Sequence, residues 1–194
     1  MNTSESLSYK DWHIPWANSE ITLKEGVDRL RSLGAPQDDI PFLVKLVENP
    51  RFSIPGVTLF HGAVDLKQHD CIHLVLGRGM LPKDEAFVIG FTMGSTNQVS
   101  TSEESLFCKI SKHLYPRIYK FDDEDIGIFK DAVRLGSISR CVSLDSFNFE
   151  PWLHCTLQEL RERLGIESEL IEAYYQVEKR RYPCSQASQR LMDS

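Results

Sequence analysis

Helix punctuation constrains this chain more than any other feature, because helix starts and stops recur along it while the strict apolar–polar alternation of half-buried strands does not. Thr22-x-x-Glu25 reads as a capping box, in which a hydroxyl and a carboxylate satisfy backbone N–H groups left unpaired at a helix start, and Gly34 closes that helix. Val27, Leu30 and Leu33 are spaced to line one of its faces. A second short helix is expected over residues 38–48, and the 50–56 stretch then breaks the chain. Helical content returns over 57–76 until Gly77 and Gly79 end it, and Pro82 suits the first turn of the next helix, which runs to about residue 97. Gly90-x-x-x-Gly94 on that helix would let another helix approach closely. Residues 102–115, 122–135, 156–164 and 168–181 complete the candidates, with a second capping box at Thr156-x-x-Glu159. Only 117–120 and 141–144 have strand character, and both are too short and isolated to build a sheet. The expected fold is all-α: one helical-bundle domain over 21–182, with flexible segments at 1–20 and 183–194, where polar residues dominate and core-forming residues are few.

A chain of 194 residues is long enough for one full hydrophobic core, and its 41% apolar and 26% charged residues match an ordinary globular domain. The formal charge is −6, from 22 basic against 28 acidic side chains, and the basic residues do not cluster. That balance argues against a nucleic-acid partner, since backbone binding needs a concentrated positive face. No apolar stretch approaches the roughly 20 residues of a bilayer-spanning helix. The first residues lack the basic start and apolar core of a secretory signal and are too acidic for a transit peptide, so a cytoplasmic location is expected. Five cysteines, Cys71, Cys108, Cys141, Cys155 and Cys184, are odd in number and contain no C-x-x-C pair, which suits free thiols in a reducing compartment.

One segment carries chemistry. In His69-Asp70-Cys71-Ile72-His73 the two histidines are four apart, about 40° in azimuth and one turn in height on a helix, so both imidazoles can aim at one point. Asp70, three before His73, can join them. Glu85 follows after eleven residues: Gly77 and Gly79 let the chain reverse, and Pro82 opens a helix whose positive end favours Asp84 and Glu85. Two imidazoles with carboxylates suit zinc or ferrous iron, whereas an all-oxygen set would favour magnesium or calcium. The competing structural account makes the histidines polar residues at a helix interface and Glu85 an ordinary first-turn acid; it explains each residue singly but not the set. His61, Asp65, His69 and His73 also recur every four residues, which would let Asp65 orient the far nitrogen of His69, with His61 equally well a solvated side chain. Cys71 points to nearly the opposite face and is expected in the core.

At these residues the sequence resembles the Coq-four family of ubiquinone biosynthesis, whose H-D-x-x-H-x(11)-E signature His69, Asp70, His73 and Glu85 match in full. Trp152 and the LQELRERLGI stretch after it look like that family's closing aromatic and Leu-x-x-Leu-x-x-x-Leu-Gly-Ile segment, and the likeness spans about 38–166. The resemblance implies an all-helical protein that binds a divalent ion through His69, Asp70, His73 and Glu85, with these same four residues at the catalytic centre. The ion is zinc first, with iron, magnesium or cobalt as alternatives. It further implies an isoprenoid-tailed substrate or ligand, oxidative removal of the ring carboxylate of a polyprenylated hydroxybenzoate with its replacement by hydroxyl, other ubiquinone-biosynthesis proteins as partners, a peripheral position at the inner face of a membrane, and a homodimer.

Three functions compete. In a metal-dependent enzyme acting on a prenylated aromatic acid, the ion serves as Lewis acid, and Arg78 or Lys83 would neutralise the substrate carboxylate from the loop between the ligand-bearing helices. In a non-catalytic lipid-binding scaffold, the apolar 86–97 helix would line a groove for an isoprenoid tail, although core packing explains it as well. In an HD-type phosphohydrolase, His69-Asp70 would be the central dipeptide, with further ligands sought at His61 and among Asp122, Asp123, Asp125 and Asp131.

Overall fold

The structure is a computed structural model that describes residues 11–33, 60–62, 64–113 and 120–192. Among these are eight α-helices: α1 (Leu23–Ser32), α2 (Leu66–Val75), α3 (Pro82–Ser95), α4 (Thr101–His113), α5 (Asp123–Ile138), α6 (Leu157–Leu164), α7 (Ser168–Arg181) and the short α8 (Gln186–Gln189), with a 3-10 turn at Glu150–Trp152. No strand occurs among the described residues, and an isolated bridge between Thr22 and Thr156 is the β-type pairing they show. The fold is all-α. The expected 38–48 helix and the 50–56 break lie outside the described residues, as does most of the 117–120 strand candidate.

Local chemistry starts these helices where the sequence places it. Both capping boxes form: Glu25 N–H donates to Thr22 Oγ1 at 3.2 Å while Thr22 N–H donates to Glu25 Oε2 at 2.9 Å, and Thr156 with Glu159 repeats both bonds. Pro82 opens α3. α2, in contrast, begins at Leu66 rather than near residue 57, because Asp65 adopts an extended backbone and its carboxylate accepts from Gln68 N–H at 2.9 Å. The 141–144 segment is not a strand: Val142 N–H bonds Leu164 O at 2.8 Å and Leu144 N–H bonds Ser95 Oγ at 3.1 Å, which are anchors to helices rather than a ladder.

The core centres on α3, in which every residue from Ala86 to Ser95 is buried. Each buried Val, Ile or Phe of such a helix contributes about 1.5–3 kcal/mol relative to exposure. α3 lies directly on α5. A Cβ at Gly90 or Gly94 would sit well inside contact distance of Phe129 O and Val133 O, and one at Gly136 would do the same to Phe91 O, so the two backbones meet where side chains are missing. The apolar run of α3 is therefore core, not the lining of a groove.

Both ends of the described chain pack onto this core, in contrast to the flexible termini expected. Trp12, Ile14 and Trp16 are buried before α1, and Leu191 is fully buried after α8, its carbonyl accepting from Trp16 N–H at 3.1 Å. Trp16 seats this end of the chain, lying against Gly77 in the turn between α2 and α3 with the Arg161 guanidinium 3.7 Å from its ring centroid.

Candidate metal centre

α2 ends in a Schellman turn that sets the site. Gly77 takes φ +62°, its N–H donates to Leu74 O at 3.1 Å, and Arg78 N–H donates to His73 O at 2.9 Å. A Cβ on Gly77 would come within 3.0 Å of Trp16 Cα, so glycine is needed both for its conformation and for this approach. Arg161 from α6 holds the same helix end, donating to Val75 O at 2.9 Å and to Trp16 O at 2.8 Å, and Tyr175 Oη donates to Leu76 O. The chain then reverses through Gly79 and enters α3 at Pro82.

This turn brings Glu85 onto the two histidines. Glu85 Oε2 lies 3.4 Å from His69 Nε2 and Glu85 Oε1 lies 3.4 Å from His73 Nε2, and the ring centroids are 4.5 Å apart. One donor atom from each of the three residues falls within 4.8 Å of the others. His69 is 2% exposed and His73 0%, yet all four ring nitrogens and Glu85 Oε2 lack a hydrogen-bond partner among the described residues. Buried polar atoms are normally paired, so the two Nε2 atoms and Glu85 Oε2, unpartnered and facing one another, call for a group that is none of the three side chains. A divalent ion is compatible with this: two donors each about 2.1 Å from a tetrahedral ion stand about 3.4 Å apart, and each histidine Nε2 is that far from one oxygen of Glu85.

Protonation separates the two imidazoles. Burial pushes the His69 imidazole down to about 4, more than Glu85 can offset, so at neutral pH it is uncharged and has a lone pair to give. Burial also disfavours the charged form of His73, but the Glu85 carboxylate beside it, with Asp70 and Asp84 adding, outweighs that and raises its pKa. Burial works against the Glu85 charge too, and His73 and His69 outweigh it, holding the carboxyl below its usual range. Asp70 stands beside the cluster rather than in it. Its half-buried carboxyl is pushed up to about 6, by burial first, with His73 pulling down and Glu85 pushing up. The next position on a helix is about 100° round from His69, and an aspartate is short.

Other candidates have different employment. His61 precedes α2 and pairs with Glu103, Nδ1 to Oε2 at 3.0 Å, so the four-residue polar stripe does not continue to it. Asp65 caps α2 instead of orienting His69, whose Nδ1 has no partner. Cys71 is 1% exposed, its thiol pushed up to about 12 by burial, as a core residue. Arg78, expected to face a substrate, is fully buried: it forks onto Glu178 at 3.0 and 2.6 Å and lies over Phe87, 3.8 Å from its centroid. Lys83 is held by Glu124 at 2.9 Å and Asp125 at 3.5 Å. Sequence reasoning gave no hint of Arg190, whose Nη2 donates to Asp84 at 2.7 Å from the segment read as a loose tail, since nothing local marks a residue whose partner is so far along the chain.

No protein-family model, curated protein or solved structure matches the chain.

Proposed function

We propose that this chain is a divalent-metal protein that acts in ubiquinone biosynthesis on a prenylated aromatic acid, removing its ring carboxylate oxidatively. The observation that carries the metal is the pair of buried histidines whose unpartnered Nε2 atoms both face Glu85. The substrate rests on the His69-Asp70-x-x-His73-x(11)-Glu85 signature and its resemblance to the Coq-four family, together with the all-helical fold in which it sits. A two-histidine, one-carboxylate set leaves coordination positions open and suits ferrous iron as well as zinc. The bound ion would supply Lewis acidity at the carboxylate or phenolate oxygens of the substrate. His69 gives a neutral imidazole to the ion, His73 does so on releasing the proton that Glu85 helps it hold, Glu85 balances part of the ion's charge, and Asp70, half-buried beside the cluster, would hold or release a proton near its rim. On this reading the protein works with other ubiquinone-biosynthesis proteins at the inner face of a membrane, as a homodimer; no helix among the described residues is long and apolar enough to cross one.

Incubating iron- or zinc-loaded protein with a short-chain prenylated hydroxybenzoate and oxygen tests the reaction. The hydroxylated, decarboxylated ring is the expected product, and its absence with metal intact contradicts an enzymatic role. A second reading, a lipid-binding scaffold whose ion shapes the fold, gains from the commitment of Arg78 and Lys83 to other partners, which leaves neither to neutralise a substrate carboxylate. A cavity of about 220 Å³ has Cys71, Phe147, Phe149 and Leu153 on its wall, where part of an isoprenoid would lie, with Asp65, Lys67, Gln68 and Glu150 making the rest of it polar. Native mass spectrometry of gently extracted protein reads this directly as a retained prenyl mass. An HD-type phosphohydrolase would need a downstream aspartate as ligand, but Asp131 pairs with Arg181 at 2.7 Å and the Asp125 carboxylate accepts from Asp122 N–H at 2.9 Å. Metal lost from Asp131→Ala and kept by Glu85→Ala would reinstate it.

A further inference from the structure

We propose that the C-terminal segment Ser185–Met192 is a strap that positions the metal centre by locking the turn between its two ligand-bearing helices, with Arg190 as the positioning residue. This rests on the metal reading of His69, His73 and Glu85. The strap reaches the turn at its tightest point. Arg190 Nη2 donates to Asp84 Oδ2 at 2.7 Å, and the same oxygen accepts from Leu81 N–H at 3.1 Å, so one buried carboxylate ties the strap to the first turn of α3, next to Glu85. Asp84 has no exposed surface, and its other oxygen has only Arg78 nearby, at 3.9 Å. The guanidinium crosses directly over Gly79, where a Cβ would strike Arg190 Nη2 and stand 2.7 Å from Trp12 O. Two further anchors hold the strap. Ser188 Oγ donates to Glu178 Oε1 at 2.9 Å, in the carboxylate that grips Arg78, and Leu191 is fully buried with its carbonyl on Trp16 N–H at 3.1 Å.

The consequence is mechanical. Glu85 meets histidines on another helix only as long as the glycine turn keeps α3 at its present angle to α2, and the turn's own backbone bonds fix the end of α2 more than the start of α3. Arg190 supplies the missing restraint from outside the turn. Groups that orient metal ligands from behind commonly change metal affinity 10–100-fold when removed.

The test is zinc affinity by chelator competition, with the cobalt(II) absorption spectrum, in full-length wild type, Arg190→Ala and Arg190→Lys, beside a remote core variant, Ile128→Val, as a stability control. The expected result is a 10–100-fold loss of zinc affinity and an altered cobalt spectrum in Arg190→Ala, substantial rescue by Arg190→Lys, and wild-type behaviour in Ile128→Val. Should Arg190→Ala not fold, Arg190→Gln, which keeps the stem to Cδ and removes the charge, carries the same comparison. Wild-type affinity and spectrum in the folded Ala or Gln variant overturn the strap, as does an equal loss in Ile128→Val. A wild-type protein that takes up no zinc or cobalt overturns the metal reading itself.

Discussion

His69 and His13 enter the folded protein as neutral imidazoles, and the pH dependence of stability follows from that. Burial pushes His13, whose Nε2 sits 3.1 Å from Gly77 O, down to about 4, as it does His69. Both recover an ordinary value near 6.5 on unfolding. Between about pH 6.5 and 4 the unfolded chain therefore binds more protons, and the metal-free protein loses stability as pH falls through that window. His73 has the opposite sign: its pKa is raised, so its pairing with Glu85 contributes below the unfolded value and fades as pH rises through the folded one. Urea unfolding at several pH values should show a shallower acid loss in His69→Gln and a steeper one in His73→Gln; unchanged slopes in both would contradict these assignments. His69, His73 and Glu85 were legible in the sequence because two of them share one helix face and the third follows a glycine turn. Asp70 was not placed correctly, since spacing gives an azimuth but not the reach of a short side chain.

At the scale of elements, what the sequence made readable was local. Thr22 and Thr156 announce helix starts through bonds to atoms within three residues and Pro82 through its fixed φ, and the structure forms all three. The start of α2 was misplaced by about nine residues because Asp65 looks like one more member of a polar stripe, and only its extended backbone makes it a cap. Gly90 and Gly94 read correctly as a site of close approach, and they give a signed prediction. Alanine raises helix propensity by about 1 kcal/mol, but at Gly94 its methyl must displace the α5 backbone at Val133, an overpacking cost of about 1–3 kcal/mol or more. Gly94→Ala should lower the thermal midpoint, whereas Gly127→Ala on α5, where a Cβ meets only Tyr182 Oη at 3.2 Å, should hold or raise it. Equal behaviour of the two variants would mean that α3 and α5 do not cross as described.

For the whole molecule, the part hidden from sequence is the buried charge cluster of Arg78, Glu178, Asp84 and Arg190, which joins the turn, α7 and the strap. Its members are drawn from across the chain, and each alone looks like a surface residue. Taking two charges out of water costs nearly what their attraction returns, so the cluster specifies an arrangement more than it stabilises one. Glu178→Ala, which leaves Arg78 buried and unpaired, should cost about 3–5 kcal/mol in urea unfolding, and the double variant Arg78→Met, Glu178→Leu should recover most of it. A double variant as unstable as the single would show that the charges themselves are required. The ends of the chain belong to the same account: Leu191→Ala should cost about 2–5 kcal/mol, as for a core leucine, where a loose tail would show no effect.

The central claim is that His69, His73 and Glu85 hold a divalent ion. Metal content of protein purified without chelator, compared with that of His69→Ala and Glu85→Ala, tests it most directly. The account predicts close to one ion per chain in the wild type and its loss from both variants; a metal-free wild type, or stoichiometric metal retained in both variants, would contradict it.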